Sequence, residues 1–322
     1  MTELSEDLSN AMDKLFHVLD KSVEEQVKSI PPPATPDNSR VAVLFSGGID
    51  STIIAFLADR HVPPAEPIDL LNVAFENPRR VRTDIPRNKR KLNMNKTTYT
   101  VLKEGIYNVP DRISGLEELE ELRRLCPNRR WNFAKDIVQR IMYPSKTVMD
   151  LSLGLALYFA SKGTGVIKNF DQDVPYISPA KVLLNGLGSD ELLGGYGRHR
   201  SAFNRGGWSE LVKELQLELD RLPSRNLGRD DRIISHHGKE TRHPFLSLSV
   251  VNSLSQLSVH LKTDPRLDIG LGDKMLLRLL TKKLGLELAS SRKKKAMQFG
   301  TCSARMENGI SGGDGEKPLY EE

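Results

Sequence analysis

The chain has 322 residues, 38% hydrophobic and 28% charged, with a formal net charge of +5; this suits one large or two small domains of ordinary soluble composition. No window reaches the ~18 consecutive apolar residues of a membrane-spanning helix, and the acidic start MTELSEDLSN lacks the basic and apolar regions of a secretory signal. Two cysteines, Cys126 and Cys302, exclude a disulfide framework; without a cysteine–histidine cluster at zinc spacing, they fit a reducing, cytoplasmic setting.

Apolar side chains at Leu8, Met12, Leu15, Leu19, Val23, Val27 and Ile30 recur in steps of three and four, which predicts an amphipathic helix over 5–30. PPPATP at 31–36 cannot continue it, so 1–36 reads as a helix and Pro-rich linker ahead of a domain at 37–303. One apolar stripe must be covered. The following domain and a second copy are candidates, but with no obvious burial site in the chain the stripe is expected to meet a domain lying outside it.

Val41-Ala42-Val43-Leu44-Phe45 predicts a strand buried on both faces. SGGIDST at 46–52 follows, then a helix over Asp50–Arg60 and a second apolar strand over Leu70–Phe75. This β-α-β order predicts an α/β fold with a doubly wound parallel sheet. Residues 76–98 read as a long loop. Within 79–96 stand eight Lys or Arg against one acid, Asp84, with no hydrophobic period. A basic, flexible loop at 79–98 is the expectation, with nucleic-acid binding the lesser reading. Then come a short charged helix at 115–125, a largely buried helix over Asp150–Ser161 and a strand over Ala180–Leu184. Beyond residue 208 the chain turns helical, as at Trp208–Leu222, Leu246–Leu254 and Asp273–Leu284. The Gly-rich, acidic end at 304–322 predicts a disordered tail.

The loop at 46–52 carries the first chemistry. Two glycines let the backbone approach an anion closely. The N–H groups of Gly47, Gly48 and Ile49, the start of the helix, and the hydroxyls of Ser46, Ser51 and Thr52 can all face phosphate oxygens. Asp50 would repel a bare phosphate and makes sense as a Mg²⁺ ligand. The alternative is a glycine turn capping an ordinary helix. There is no Walker A pattern.

SGGIDS resembles the SGGxDS pyrophosphate loop of the N-type ATP pyrophosphatases, and NGLGSDELLGGYGRHR at 185–200 resembles the SGEGSDELFGGY segment of asparagine synthetases and β-lactam synthetases. RNLGRDDRIISHHGKETRHPFL at 225–246, GDKMLLRLL at 272–280 and RKKKAMQFG at 292–300 resemble three further segments of those enzymes in the same order. The chain is identified as similar to the asparagine synthetase family over about residues 40–303, and within it to the domain-containing group. The resemblance implies the N-type ATP pyrophosphatase fold with added C-terminal helices. It implies ATP and Mg²⁺, with Asp50 and Asp190 as metal ligands. Phe45, Val73, Asn185 and Gly186 match positions lining the adenine. Lys294 matches a catalytic lysine that neutralises charge on the α-phosphate or on a tetrahedral intermediate, though Lys293 and Lys295 leave the register open by one residue. Glu240 is either catalytic or an ion-pair partner of Arg242. His236, His237 and His243 read as packing or surface residues.

Three departures qualify the resemblance. Leu187 replaces a family glutamate that can serve as acid–base, a loss typically worth ~10²–10⁴-fold in rate. Ser247 replaces an aspartate. Thr2 stands where glutamine-hydrolysing relatives carry cysteine, so no glutaminase is expected in this chain. The leading reading is an ATP-dependent amide ligase that adenylates a carboxylate, foremost the aspartate side chain. It releases AMP and pyrophosphate and takes nitrogen as ammonia or from a separate or missing glutaminase domain. The second is an ATP-binding scaffold without amidation chemistry, favoured by Leu187 and Ser247. A tRNA-modifying pyrophosphatase ranks third, because GSDELLGGY argues against it. Neither a membrane nor nucleic acid is an expected partner.

Overall fold

The apolar run at 41–45 becomes the middle of a sheet. The computed structural model describes residues 5–75, 109–138, 149–169, 172–295 and 297–301; the basic stretch at 79–98 and the tail at 304–322 lie outside them. Among the described residues seven strands pair: β1 (Val41–Leu44), β2 (Ile68–Phe75), β3 (Trp131–Val138), β4 (Thr164–Asn169), β5 (Gln172–Ile177), β6 (Val182–Leu184) and β7 (Glu240–Arg242). Their order is β5-β4-β3-β2-β1-β6-β7. The helices are α1 (Glu6–Lys28), α2 (Ile49–His61), α3 (Pro110–Leu125), α4 (Met149–Lys162), α5 (Ser189–Leu193), α6 (Gly197–Leu222), α7 (Gly228–Ser235), α8 (Leu248–Ser255), α9 (Val259–Lys262), α10 (Met275–Lys283), α11 (Glu287–Ser291) and α12 (Met297–Gly300). None is long and apolar enough to cross a membrane.

Alternation along β1 explains the layers. Val41 and Val43 join Ile68, Leu70 and Phe133 in a core with α1, α2, α3 and α10. Ala42 and Leu44 face the other way, onto Leu71, Ala134, Leu157 of α4 and Ile234 of α7. Both faces are covered, which is why β1 carries no polar face. The α/β expectation holds. The expectation of a wholly parallel sheet needs a correction: β3, β2, β1, β6 and β7 are parallel, but β4 runs antiparallel to β3 and β5 antiparallel to β4.

The helix at the start of the chain needs a larger one. The stripe Met12, Leu15, Leu19, Val23, Val27 and Ile30 is buried in the main core, so no outside domain is required to cover it. Each such side chain contributes about 1.5–3 kcal/mol. Polar links pin the same helix. Asp20 pairs with Arg60 and His61 at the end of α2, and Ser22 Oγ donates to Pro244 O (2.8 Å). The helix and the Ile30 that follows it are therefore part of the domain's packing.

Both edges of the sheet are short of pairing capacity. β5 carries Pro175, and β7 is three residues long.

Candidate active site

β1 delivers the chain to the glycine loop at 46–52. Phe45 still donates to Leu71 O (2.9 Å). Gly47 then turns to φ 74°, and Gly48 stands at the N-terminus of α2. A Cβ on Gly47 would lie 2.6 Å from Ser114 O, because the first turns of α3 pack directly on the loop backbone. Ser114 Oγ donates to Ser46 O (2.9 Å) and fixes that contact. On the other side of β1, β6 leads into Asn185, whose N–H donates to Arg242 O (2.9 Å) and whose Oδ1 accepts from Leu187 N–H (3.2 Å). From β1 the chain builds toward β2 and β3 in one direction; later it returns to add β6 and β7 in the other. The carboxyl ends of β1 and β6 thus frame the switch point at which open α/β sheets take ligands.

A cavity of about 770 Å³ opens there. Phe45, Ser46, Gly47, Gly48, Asp50, Ser51, Val73, Asn185, Gly186, Asp190 and Lys294 all line it. Two expected residues do not. Thr52 is fully buried in the first turn of α2, where its hydroxyl donates back to Gly48 O (3.0 Å). Glu240 opens β7 opposite Val182, at the amino end of β6 and away from the cavity. Its exposed carboxylate pairs with Arg242 Nε (2.7 Å), and that guanidinium also reaches Gln26 O and Ser29 Oγ (2.7 Å) near the end of α1. This is the ion-pair alternative for Glu240. Leu187 lines the cavity, whereas Ser247 does not; Ser247 accepts from Val250 N–H (3.4 Å) as the N-cap of α8.

Lys274 is the central residue that the motif reading did not single out. It is 1% exposed. Its Nζ donates to both oxygens of Asp50 (2.8 and 2.7 Å) and ion-pairs with Asp190 Oδ1 at 2.8 Å. Lys294 Nζ pairs with Asp190 Oδ2. Burial alone would raise the Asp190 carboxyl and lower the Lys274 ammonium. The facing charges outweigh burial, holding Asp190 below and Lys274 above their usual ranges. Lys274 has φ 51°, the one non-glycine residue at positive φ among the described residues. That conformation costs on the order of 1–2 kcal/mol and persists where surrounding contacts demand it. Gly195 makes the room: a Cβ there would stand 2.8 Å from Lys274 Cε and 2.9 Å from Asp190 Cγ. The available signal was a lysine directly ahead of the amphipathic run MLLRLL in the 272–280 segment.

Asp50 and Asp190 offer the hard oxygens Mg²⁺ prefers, and one or two carboxylates beside substrate phosphates suffice for that ion. As arranged they do not fit it. Three of their four oxygens face Lys274 and the fourth faces Lys294. Among the described residues no group of three or more His, Cys, Asp or Glu side chains could hold a metal.

The segment bearing Lys294 is strapped down from two sides. Arg278 donates to Ser290 O (2.9 Å), Arg292 O (2.7 Å) and Asp273 Oδ2 (2.5 Å). Arg292 in turn binds Glu118 Oε1 (2.5 Å) and Glu117 Oε2 (2.6 Å) on α3. Asp111, at the start of α3, also lines the cavity; burial pushes its carboxyl up to about 7, against the pull of Lys295 and Lys294. Tyr196, which also lines the cavity, donates to Glu191 Oε1 (2.6 Å), and Arg198 stacks over its ring.

A buried histidine, His199, and a half-buried one, His243, give the domain an acid limit. Burial lowers both His199 and His243 to about 4, from an ordinary value of 6.5. The unfolded chain therefore binds protons first, so stability is intact above about 6.5, falls with pH, and levels off below about 4. The expected loss between pH 7 and 5 is about 2 kcal/mol per histidine. Urea midpoints at those pH values test this, and His243→Gln should flatten the dependence.

Comparison with known proteins gives a consistent match. The asparagine synthase family profile matches residues 14–118 and 203–311. Asparagine synthetase domain-containing protein 1 of Gallus gallus is 46% identical over 300 residues, covering 85% of this chain and 47% of that protein. Its Homo sapiens namesake is 42% identical over 296 residues, covering 84% and 46%. An asparagine synthetase domain-containing protein of Saccharomyces cerevisiae is 37% identical over 310 residues, covering 93% and 54%. The chain thus spans about half the length of the curated relatives it matches, and their names state a domain rather than a reaction.

Proposed function

Because the chain belongs to the asparagine synthase family, we propose that it has the N-type ATP pyrophosphatase fold and acts as an ATP-dependent amide ligase. The observation that carries this reading is the convergence of the Gly47 loop, the start of α2, Lys274 and Lys294 on one cavity at the sheet's switch point. Its volume lies in the range of small-molecule sites, ~300–1,000 Å³.

The reaction has two steps. A carboxylate oxygen of the acceptor bonds to the α-phosphorus of ATP while the bond to the bridging α–β oxygen breaks, and pyrophosphate leaves. Ammonia then bonds to the acyl carbon, the acyl–phosphate oxygen bond breaks, AMP leaves, and the nitrogen gives up a proton to solvent. The loop N–H groups and the first turn of α2 hold phosphate oxygens. The ammonium of Lys294 neutralises charge that grows as pyrophosphate departs. Val73 and the Asn185–Gly186 backbone flank the adenine. The acceptor is the aspartate side chain, and a glutaminase partner can supply the ammonia.

A second reading is favoured by one cavity residue. Leu187 can take no proton, which suits a nucleotide-binding domain without amidation. Ser247 adds little to that reading, since it caps a helix outside the cavity.

Pyrophosphate release from ATP, supplied as its magnesium salt with aspartate and ammonium, separates the two. The ligase reading expects release that depends on aspartate. Lys294→Ala should lower its rate about 10²–10³-fold and leave ATP affinity within a few-fold. ATP binding with no aspartate-dependent release supports the binding-domain reading instead.

A further inference from the structure

The Asp50–Asp190 pair already holds a cation of its own. Lys274 Nζ sits between the two carboxylates, within 2.8 Å of both, on a side chain 1% exposed. Lys294 meets the remaining oxygen. Two carboxylates and two ammoniums cancel, so the resting cluster has no net charge with which to draw a divalent ion. A Mg²⁺ bound to these oxygens would need carboxylate contacts of about 2.0–2.1 Å, which would put it against the Lys274 ammonium.

Two backbone features show that this lysine is built in rather than resting there by chance. Lys274 holds a left-handed conformation that an ordinary helix start does not require. Gly195, in the turn after α5, has no side chain, and any Cβ would collide with both members of the Lys274–Asp190 pair. We propose that Lys274 is the resident cation of the Asp50–Asp190 pair, and that the nucleotide-free site consequently excludes free divalent ions.

This concerns the resting site and does not rest on the ligase reading. The test is a Mn²⁺ titration of the full chain without nucleotide, with free aqueous Mn²⁺ followed by electron paramagnetic resonance. The wild type is expected to leave the ion free through the millimolar range. Lys274→Met uncovers the two carboxylates and should bind one Mn²⁺ per chain at least about tenfold more tightly, and adding Asp190→Asn should abolish that binding. Lys274→Met should also melt below the wild type without metal, and Mn²⁺ or Mg²⁺ should raise the melting temperature of the variant alone. If Lys274→Met does not accumulate, Lys274→Gln, which keeps a neutral donor, is put through the same titration.

A wild-type chain that binds one Mn²⁺ lost in Asp50→Asn overturns the proposal. So does a Lys274 variant that binds Mn²⁺ no better than the wild type and gains no stability from it. Neither result touches the aspartate-dependent release assay, so the two ideas fail separately.

Discussion

Gly47→Ala should lower ATP affinity by about 10–100-fold, while Gly48→Ala, one residue on, should change it only a few-fold. Two effects fall on position 47. Its φ of 74° lies in the left-handed region, where a Cβ costs about 1–2 kcal/mol. That Cβ would also stand 2.6 Å from Ser114 O, and backbone on α3 cannot move aside as a side chain can. The loop must therefore lift from α3, which turns its N–H groups off the anion they are proposed to hold. At position 48 the neighbour is Ser46 Oγ at 3.2 Å, a side chain that can rotate away for the loss of the one hydrogen bond it accepts from Gly48 N–H. Isothermal titration with ATP reads the difference, with circular dichroism melts to check folding. No loss at 47 would show that the loop does not bind the phosphates, and equal losses at the two positions would overturn the crowding argument for Gly47.

Arg129→Met should cost about 3–5 kcal/mol of folding stability. The Arg129 side chain is 2% exposed. Its guanidinium donates to Asp59 Oδ1 (2.6 Å), Asp59 O (2.8 Å), Val62 O (2.7 Å), Pro63 O (2.6 Å) and Glu66 O (2.6 Å). Those acceptors lie along the end of α2 and the turn into β2, where helix-end carbonyls lack partners of their own. Methionine fills similar space but leaves four carbonyls and a carboxylate without their donor. Against a typical total of about 5–15 kcal/mol, the loss is a large share. Lysine restores charge but only three donors and no planar fork, so Arg129→Lys should recover a minor part. Urea unfolding gives both values.

The strand–loop–helix turn at 46–52 was legible because its signal is local: an apolar strand, two glycines and a helix within a dozen residues. The stripe of α1 was legible as a helix face for the same reason. What covers it was not, since its cover comes from α2, α8 and α10 through tertiary packing. Lys274 escaped notice because it meets Asp50 across 224 positions of chain, and its burial cannot be read from the letters around it. β7 was missed because Glu240-Thr241-Arg242 has no apolar residue, and its pairing to β6 depends on a neighbour far earlier in the chain. β5 contains Pro175, which reads as a strand breaker unless the strand is known to lie on an edge. Glu240 and Lys294 came from the same family resemblance, yet only Lys294 lines the cavity. Resemblance orders motifs along the chain; it does not say which end of a strand each side chain occupies.

The sheet's edges bear on how the protein behaves when crowded. An open edge is a template on which a second chain can extend the ladder, and long flat edges seed aggregation. Here Pro175 contributes no N–H to any ladder, and β7 offers a neighbour only three residues. β5 nonetheless exposes Val174 and Ile177, so its side chains would favour self-association if its backbone allowed it. The proline at 175 therefore limits self-association through this edge, and a β-branched residue in its place would turn the outer strand into a sticky one.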